Sequence, residues 1–234
     1  MSGGSFVVAI DGPAASGKGT LARGLAERFS LAHLDTGSLY RATAFLVLEA
    51  GGDPADAAAA ERAARHVTPA LLGDPRLRGE AVGAAASVVA AIAQVRRALL
   101  DFQRDFAAHP PAPPRGSRTR GPRTRGPRIR GAVLDGRDIG SVVCPQAQVK
   151  LFLTASLEAR AARRLKELRE RGEPAIYEAV LLDLKERDAR DTLRHAAPLR
   201  AAPGAVTIDT TALDADRALE SVSQLIARSL DAAR

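Results

Sequence analysis

A nine-residue loop between an apolar run and a helical pattern constrains the fold of this chain more than any other feature. The run Phe6–Ile10 is continuous, as in a buried strand, and Leu21, Leu25 and Phe29 follow the loop at helical spacing. Glycines let the backbone curl so that successive N–H groups converge on one centre, and a helix that begins there adds the positive end of its dipole. The pattern therefore predicts a phosphate-binding loop, which comprises Gly12, Pro13, Ala14, Ala15, Ser16, Gly17, Lys18, Gly19 and Thr20.

One position departs from the strict form of such a loop. The residue after Lys18 is Gly19, where Ser or Thr is usual, and Thr20 follows. We expect the Thr20 hydroxyl to serve Mg²⁺, directly or through water, while the Lys18 cation binds the β- and γ-phosphates. The alternative is a glycine-rich turn with an unrelated lysine, but the strand, the spacing and the helix together favour the phosphate loop.

Short apolar runs alternate with helical patterns along the whole chain. The predicted strands are Phe6–Ile10, Ala32–Leu34, Ala132–Leu134, Val149–Leu153 and Ala205–Ile208. Helical patterns follow Lys18, surround Leu39 to Leu46, run from Val82 to Phe106 and from Leu157 to Arg171, and return at 176–194 and 219–230. We therefore expect an α/β fold with three layers, α/β/α, a five-stranded and mostly parallel sheet, and a ligand site beyond the carboxyl ends of the strands.

The bulk composition indicates a cytoplasmic protein. The chain has 234 residues and one cysteine, Cys144, so no internal disulfide is possible, and we expect this thiol to be buried as a small apolar group. No run of about 18 apolar residues is present, so we predict no membrane span. The first residues lack the basic and apolar segments of a signal peptide.

A basic, repetitive segment occupies residues 109–131. Arg-Thr-Arg-Gly-Pro occurs at 118–122 and again at 123–127, and the segment holds seven arginines, which equals the whole formal net charge of +7. Regular prolines and a lack of apolar residues predict a disordered, low-complexity loop. It could tether phosphate or nucleic acid, but no aromatic residue is interleaved to stack on bases, so a tolerated surface insertion is favoured.

Further motifs narrow the class of protein. They are Leu-Asp-Thr-Gly-Ser-Leu-Tyr-Arg at 34–41, Val-Leu-Asp-Gly-Arg-Asp-Ile-Gly at 133–140, Glu-Arg-Asp-Ala-Arg-Asp at 186–191, Ala-Pro-Leu at 197–199 and Ile-Asp-Thr-Thr at 208–211. With the Gly-Lys-Gly-Thr ending of the loop, they closely resemble the bacterial cytidylate kinases, a family of nucleoside monophosphate kinases within the P-loop NTPases. The resemblance covers nearly the whole chain except residues 110–130 and, more weakly, 50–75.

The resemblance implies a kinase that uses ATP and Mg²⁺ and that phosphorylates CMP or dCMP. The matching positions place the acceptor phosphate at Thr36, Arg41, Arg137 and Arg194, the cytosine edge at Ser87, Arg96 and Asp138, and the ribose at Arg187 and Asp191. The basic helix after the fourth strand resembles the lid, where Arg160 and Arg164 are the expected nucleotide contacts. The residues implied in catalysis are Lys18, Arg137, Arg160 and Arg164.

The same resemblance implies one kinase domain over residues 1–234. Its core would be 5–50, 131–155 and 200–234, its nucleoside-binding insert about 51–106, its basic loop 109–131 and its lid about 156–175. The insert departs from the family pattern because the segment Asp74–Arg78 comes early, so we expect a shortened insert.

The residue types suit this chemistry. Arginine binds two phosphate oxygens at once, and an acceptor phosphate needs no general base. Asp138 and Arg96 together match the exocyclic amine and ring acceptors of cytosine; uracil would leave Asp138 unpaired, at a cost of about 1–3 kcal/mol, so we predict that UMP is a poor acceptor. Three alternatives stay open: Ser87 as a packing residue, Arg137 and Asp138 as an ion pair within a turn, and 176–194 as a surface ladder of ion pairs.

Other functions also fit parts of the sequence. A P-loop phosphotransferase could act on UMP, AMP or shikimate; a nucleic-acid-binding P-loop ATPase could use the arginine repeat; and an inactive relative could have lost its geometry. We expect a monomer whose partners are CMP and dCMP, with neither a membrane nor nucleic acid as the main partner. The four histidines show no metal-binding spacing.

Overall fold

A parallel sheet forms the centre of the protein, which the computed structural model describes over residues 5–112 and 131–232. The described residues form five strands, and every neighbouring pair is parallel, in the order β2-β3-β1-β4-β5. The strands are β1 Phe6–Asp11, β2 Ala32–Asp35, β3 Gly131–Gly136, β4 Val149–Thr154 and β5 Val206–Asp209. All five predicted strands are confirmed to within two residues.

Helices cover both faces of this sheet. They are α1 Lys18–Phe29, α2 Thr36–Glu49, α3 Ala57–Arg65, α4 Glu80–Val89, α5 Ala93–Ala108, α6 Leu157–Glu170, α7 Tyr177–Leu193 and α8 Ala215–Ala232. Short 3₁₀ helices span Pro69–Gly73 and Pro75–Arg78, and a π-helical turn spans Ile139–Val143.

The two faces of the sheet have separate hydrophobic cores because successive strand residues point in opposite directions. Val7 and Ala9 of β1 pack with α2, α4 and α5, whereas Val8 and Ile10 pack with α1 and α8. The expected three-layer α/β/α arrangement is confirmed. Ala161 of α6 and Leu184 of α7 form a third cluster, which includes Ala14 of the phosphate loop.

The prediction of one helical pattern from Val82 to Phe106 was wrong. Two helices, α4 and α5, meet at a bend of 100°. The turn closes through hydrogen bonds from Ala91 N to Val88 O and from Ile92 N to Val89 O, without glycine or proline. Val89 is fully buried, so tertiary packing sets a bend that the local sequence does not signal.

Within the described ranges, no single helix is long and apolar enough to cross a membrane, although the bent pair α4 and α5 meets that criterion of length and composition together.

Candidate active site

A cleft of about 270 Å³ opens at the carboxyl ends of β1, β2 and β3. The phosphate loop forms one side of it. Gly12 and Gly17 have φ angles of 153° and 87°, and a Cβ on Gly12 would lie 2.4 Å from the Leu153 carbonyl oxygen, so the curled backbone requires glycine there. Lys18 Nζ donates to the Pro13 carbonyl at 3.1 Å, which holds the lysine over its own loop.

Lys18 lies beside two carboxylates at the carboxyl ends of strands β2 and β3. Burial lowers the pKa of Lys18 to about 7, with Arg137 acting in the same direction, while Asp135 and Asp35 act against it. Burial and the neighbouring charge of Asp135 raise the pKa of Asp35. His33 Nε2 lies 2.8 Å from Asp135 Oδ1 and fixes that carboxylate from the adjacent strand. The side of the cleft that the phosphate loop forms therefore holds one lysine and two closely spaced carboxylates.

Four arginines crowd the opposite side. Arg137 Nε donates to Asp191 Oδ2 at 2.7 Å, and Arg194 Nη1 lies 3.5 Å from Asp191 Oδ1. Burial would raise the pKa of Asp191, but Arg137, Arg194 and Arg187 lower it overall. Burial, with Arg137 as the next cause, lowers the pKa of Arg187 to about 10. Arg41 also lines this side, and burial lowers its pKa as well. One carboxylate thus compensates several cations, which leaves a field that attracts anions.

The inner end of the cleft holds a hydrogen-bonded ion pair. Arg96 Nη2 donates to Asp138 Oδ2 at 2.5 Å, and the Arg96 guanidinium carbon lies 5.4 Å from the centre of the Tyr40 ring. Ser87 Oγ and Arg194 Nη2 are buried and have no hydrogen-bond partner among the residues that the structure describes. Buried polar atoms are usually satisfied, so these two point to a polar ligand.

Most of the predicted site residues line this one cleft. They are Ala14, Ala15, Lys18, Gly19, Thr36, Arg41, Ser87, Arg96, Arg137, Asp138, Arg164, Arg187, Asp191 and Arg194. The Thr36 hydroxyl donates to the Asp135 carbonyl at 2.8 Å, so its proton is engaged within the protein. The remaining loop residues, Gly12, Pro13, Ser16, Gly17 and Thr20, do not contribute to the described lining. Thr20 is exposed, and its hydroxyl accepts a long hydrogen bond from Arg23 at 3.4 Å.

Arg160 also lies outside the cleft lining, contrary to its expected role as a nucleotide contact. Its guanidinium donates to Asp188 at 3.0 and 2.6 Å, to the Ala14 carbonyl at 3.3 Å and to the Ala155 carbonyl at 3.1 Å. Every nitrogen of the guanidinium is therefore engaged, and the side chain joins α6 to α7 and to the phosphate loop.

Two of the open alternatives are excluded by these contacts. Arg137 and Asp138 do not pair with each other within their turn, because each pairs with a residue of another helix. The helix at 176–194 is not a surface ladder, since Asp191 and Arg194 are buried in the cleft. Val180 and Leu184 of this helix are also buried, whereas Ile176, which precedes it, is 69% exposed.

Sequence reasoning missed several groups in and around the cleft. Asp35 and Asp135 carried a visible signal, because each ends a predicted strand, yet neither received a role. Tyr40 and Asp188 lie within the motifs at 34–41 and 186–191 but received no role, and His33 gave no local signal, since its partner lies 102 residues away.

Comparisons with known proteins agree with the geometry. The family model described as cytidylate kinase matches residues 8–112 and 126–228. A cytidylate kinase of Rhodospirillum rubrum is 53% identical over 222 residues, which cover 95% of this chain and 97% of that protein. One of Paramagnetospirillum magneticum is 54% identical over 95% of this chain and 98% of its own. One of a Methylobacterium species is 58% identical over 86% of both chains. The family match omits residues 113–125, within the arginine repeat, most of which lies outside the described residues.

Proposed function

The chain belongs to the cytidylate kinase family, and we propose that its cleft transfers the γ-phosphate of ATP to CMP or dCMP, with ADP and CDP or dCDP as products. The observation that carries this proposal is that Lys18 of the phosphate loop shares one cleft with Arg41, Arg137 and Arg194. Two nucleotides placed end to end bring many negative charges together, and these cations offset them.

The phosphate loop would bind the donor. Its backbone N–H groups and the first turn of α1 face the β- and γ-phosphates, and Lys18 moves from the Pro13 carbonyl to a phosphate oxygen. The negative charge of ATP would restore the ordinary, protonated state of this lysine, because opposite charge favours the charged form. Lys18 then neutralises the oxygens on which charge builds up during transfer.

The two acids beside Lys18 fit Mg²⁺ better than Thr20 does. Asp35 and Asp135 line the cleft; burial first and the charge of Asp135 second raise the pKa of Asp35, and a divalent cation would offset both effects. Thr20 is exposed and lies outside the lining. When bound, Mg²⁺ supplies charge neutralisation at the transferred phosphate. Among the residues described, no group of three or more His, Cys, Asp or Glu could hold a metal ion, so the ATP phosphates would share this ion.

The arginines on the opposite side would bind and orient the acceptor. An oxygen of the CMP phosphate attacks the γ-phosphorus of ATP, and the bond from that phosphorus to the oxygen bridging it to the β-phosphate breaks. Arg41, Arg137 and Arg194 hold the attacking phosphate, and Arg164 of α6 faces the same cleft. Arg187 and Asp191 would meet the ribose. The acceptor is already anionic, so no side chain has to remove a proton.

The pair Arg96–Asp138 would select cytosine. The Asp138 carboxylate accepts from the exocyclic amine, while Arg96 donates to the ring acceptors, and Ser87 Oγ gains the partner that it lacks among the described residues. Uracil has a carbonyl oxygen in place of that amine. This oxygen cannot donate a hydrogen bond, so the Asp138 carboxylate would be left without a donor. CMP is therefore favoured over UMP.

Closure over both nucleotides would exclude water. Arg171 at the end of α6 donates to the carbonyl of Arg78 at 3.3 Å, which joins the lid side of the cleft to the insert side. Water at the γ-phosphate would hydrolyse ATP, so a closed cleft protects the transfer. We also propose that the protein acts as a monomer in the cytoplasm, because the phosphate loop and the arginines that the transfer needs are all supplied by this chain.

The test is an assay of ADP release with CMP, dCMP, UMP and AMP, on the wild type and on Lys18→Ala. CMP and dCMP should be the best acceptors, and Lys18→Ala should lower kcat by about a thousandfold or more. Lys185→Ala, which removes an exposed lysine of α7, is the matched control and should behave as the wild type. Equal catalytic efficiency with UMP and CMP, or full activity of Lys18→Ala, would contradict the proposal.

A further inference from the structure

One buried carboxylate takes no part in the mechanism above. Asp11 is the last residue of β1, directly before the phosphate loop, and it is 2% exposed and outside the cleft lining. Its Oδ1 accepts from Ile139 N at 2.7 Å and its Oδ2 from Gly140 N at 2.8 Å. Both carboxylate oxygens are thus fixed by a segment 128 residues further along the chain.

The two amides belong to the turn that carries the base-selecting carboxylate. Ile139 and Gly140 begin the π-helical turn and directly follow Asp138, and the first N–H groups of a helical segment lack partners within it. Asp11 provides those partners from the neighbouring strand. Because two amides are held by two oxygens of one rigid group, both the position and the orientation of the chain at Asp138 are fixed.

The approach of this turn to Asp11 depends on close packing. A Cβ on Gly140 would lie 3.1 Å from Ala202 Cβ and 3.4 Å from Asp11 Oδ2, so a larger residue would press the turn away from the carboxylate. Burial raises the pKa of Asp11 to about 6, against the lowering effect of the two amides. The two amide hydrogen bonds therefore hold in place a carboxylate whose charged form burial disfavours.

We propose that Asp11 is a positioning residue for base selection, which holds Asp138 where it meets the exocyclic amine of cytosine. This inference rests on the proposed function, in which Asp138 reads that amine. Asp11 acts through the backbone of the Ile139–Val143 turn and contacts neither nucleotide. It also joins the start of the phosphate loop to the base-binding end of the cleft.

The test compares catalytic efficiencies with CMP and UMP in Asp11→Asn. An asparagine side chain accepts from one amide but turns its own NH₂ towards the other, so the turn should shift. We expect the CMP-to-UMP ratio of kcat/KM to fall about tenfold, as for the loss of one good hydrogen bond. The KM for ATP should change by less than about twofold, because the loop glycines and Lys18 keep their contacts.

Two comparisons separate this inference from the proposed function. Asp138→Asn should itself collapse the CMP-to-UMP ratio; if it does not, base reading by Asp138 is wrong and this inference falls with it. If Asp138→Asn collapses the ratio, then Asp11→Asn in that background should lower it no further, because both act on one contact. A further fall in the double variant would overturn the positioning role alone.

Controls exclude a merely structural effect. Asp56→Asn changes another carboxylate that accepts two backbone amides, at 2.9 and 3.2 Å, on the exposed start of α3, and should leave the ratio unchanged. If Asp11→Asn does not fold, Gly140→Ala provides the same displacement from the other side and should lower the ratio in the same direction. Equal losses with CMP and UMP, or a raised KM for ATP as the main effect, would refute the proposal.

Discussion

The ion pair Arg160–Asp188 offers the sharpest test of how α6, the helix that we propose as the lid, contributes to catalysis. The resemblance implied that Arg160 contacts the nucleotide, whereas its guanidinium binds Asp188 and two backbone carbonyls. We consider Arg160→Met, which keeps the length of the side chain, Asp188→Asn, and the double variant. If Arg160 holds the phosphate loop in place and does not contact the nucleotide, Arg160→Met and Asp188→Asn should lower turnover by a similar factor. The double variant should then lower it no further.

The magnitudes follow from the burial of the two partners. Loss of one partner from a buried ion pair costs about 3–5 kcal/mol, but Asp188 is 27% exposed on its side chain and Arg160 only 6%. Asp188→Asn leaves a buried cation with two carbonyls, so we expect a loss of about 2–3 kcal/mol, or a Tm lower by about 5–10 °C. Arg160→Met leaves a carboxylate that water can reach, so its loss should be smaller. The double variant should recover about 1.5–3 kcal/mol relative to the sum.

Thermal unfolding and the ADP-release assay measure the two effects on the same samples. The Ala14 carbonyl that Arg160 holds belongs to the phosphate loop, so both single variants should lower kcat by a similar factor, about tenfold, and the double variant no further. Arg169→Met, on the exposed side of the same helix, is the control and should leave Tm and kcat close to the wild type. A loss of kcat of about a hundredfold or more in Arg160→Met, with normal turnover in Asp188→Asn, would show a direct nucleotide contact and refute the role of Arg160 in holding the loop.

Three further predictions use the perturbed pKa values. The pKa of Lys18 is lowered to about 7, and the negative charge of ATP should raise this pKa, so ATP binding at about pH 8 should be accompanied by uptake of a proton. Calorimetry in buffers of different ionisation enthalpy would detect the proton uptake, and Lys18→Met should abolish it. The pKa of Asp191 lies below its usual value, so its carboxylate stabilises the folded state above about pH 4, and this stability is lost as the pH falls through the lowered pKa. The free energy of unfolding of Asp191→Asn should therefore depend less on pH in that acidic range than that of the wild type. An unchanged pH profile would count against the ion pair with Arg137. Burial raises the pKa of the Cys144 thiol to about 11, so iodoacetamide should modify the native protein more than about a hundredfold more slowly than the urea-unfolded chain at pH 8, and similar rates would contradict this.

Local patterns predicted the sheet and the phosphate loop because both are encoded over short stretches. Continuous apolar runs mark the central strands β1 and β3, which are buried on both faces, and Gly12 and Gly17 occupy backbone conformations that favour glycine. The motifs around Thr36, Arg137 and Asp191 predicted cleft residues that the structure does bring together. These features need no knowledge of distant partners.

Long-range partners account for what the sequence left out. Nothing near Asp11 indicates that the amides it accepts hydrogen bonds from lie at Ile139 and Gly140, and nothing near His33 points to Asp135, which follows 102 residues later. The bend between α4 and α5 arises from packing of an alanine-rich segment that carries no breaker. The charges of Arg160 and Asp188 can be read from the sequence, but their pairing cannot. Only the three-dimensional structure determines whether an arginine of α6 faces a phosphate or a carboxylate.

The direction of β3 has a practical consequence for protein engineering. The described chain resumes at Gly131, which begins β3, and the strand ends five residues later at Gly136, which lines the cleft. A six-residue strand spans roughly 20 Å. The arginine-rich stretch joins β3 at the amino end of the strand, whereas the cleft lies at its carboxyl end. A fluorophore or an affinity tag introduced into the arginine-rich stretch would therefore join β3 at the end of the strand that is remote from the cleft.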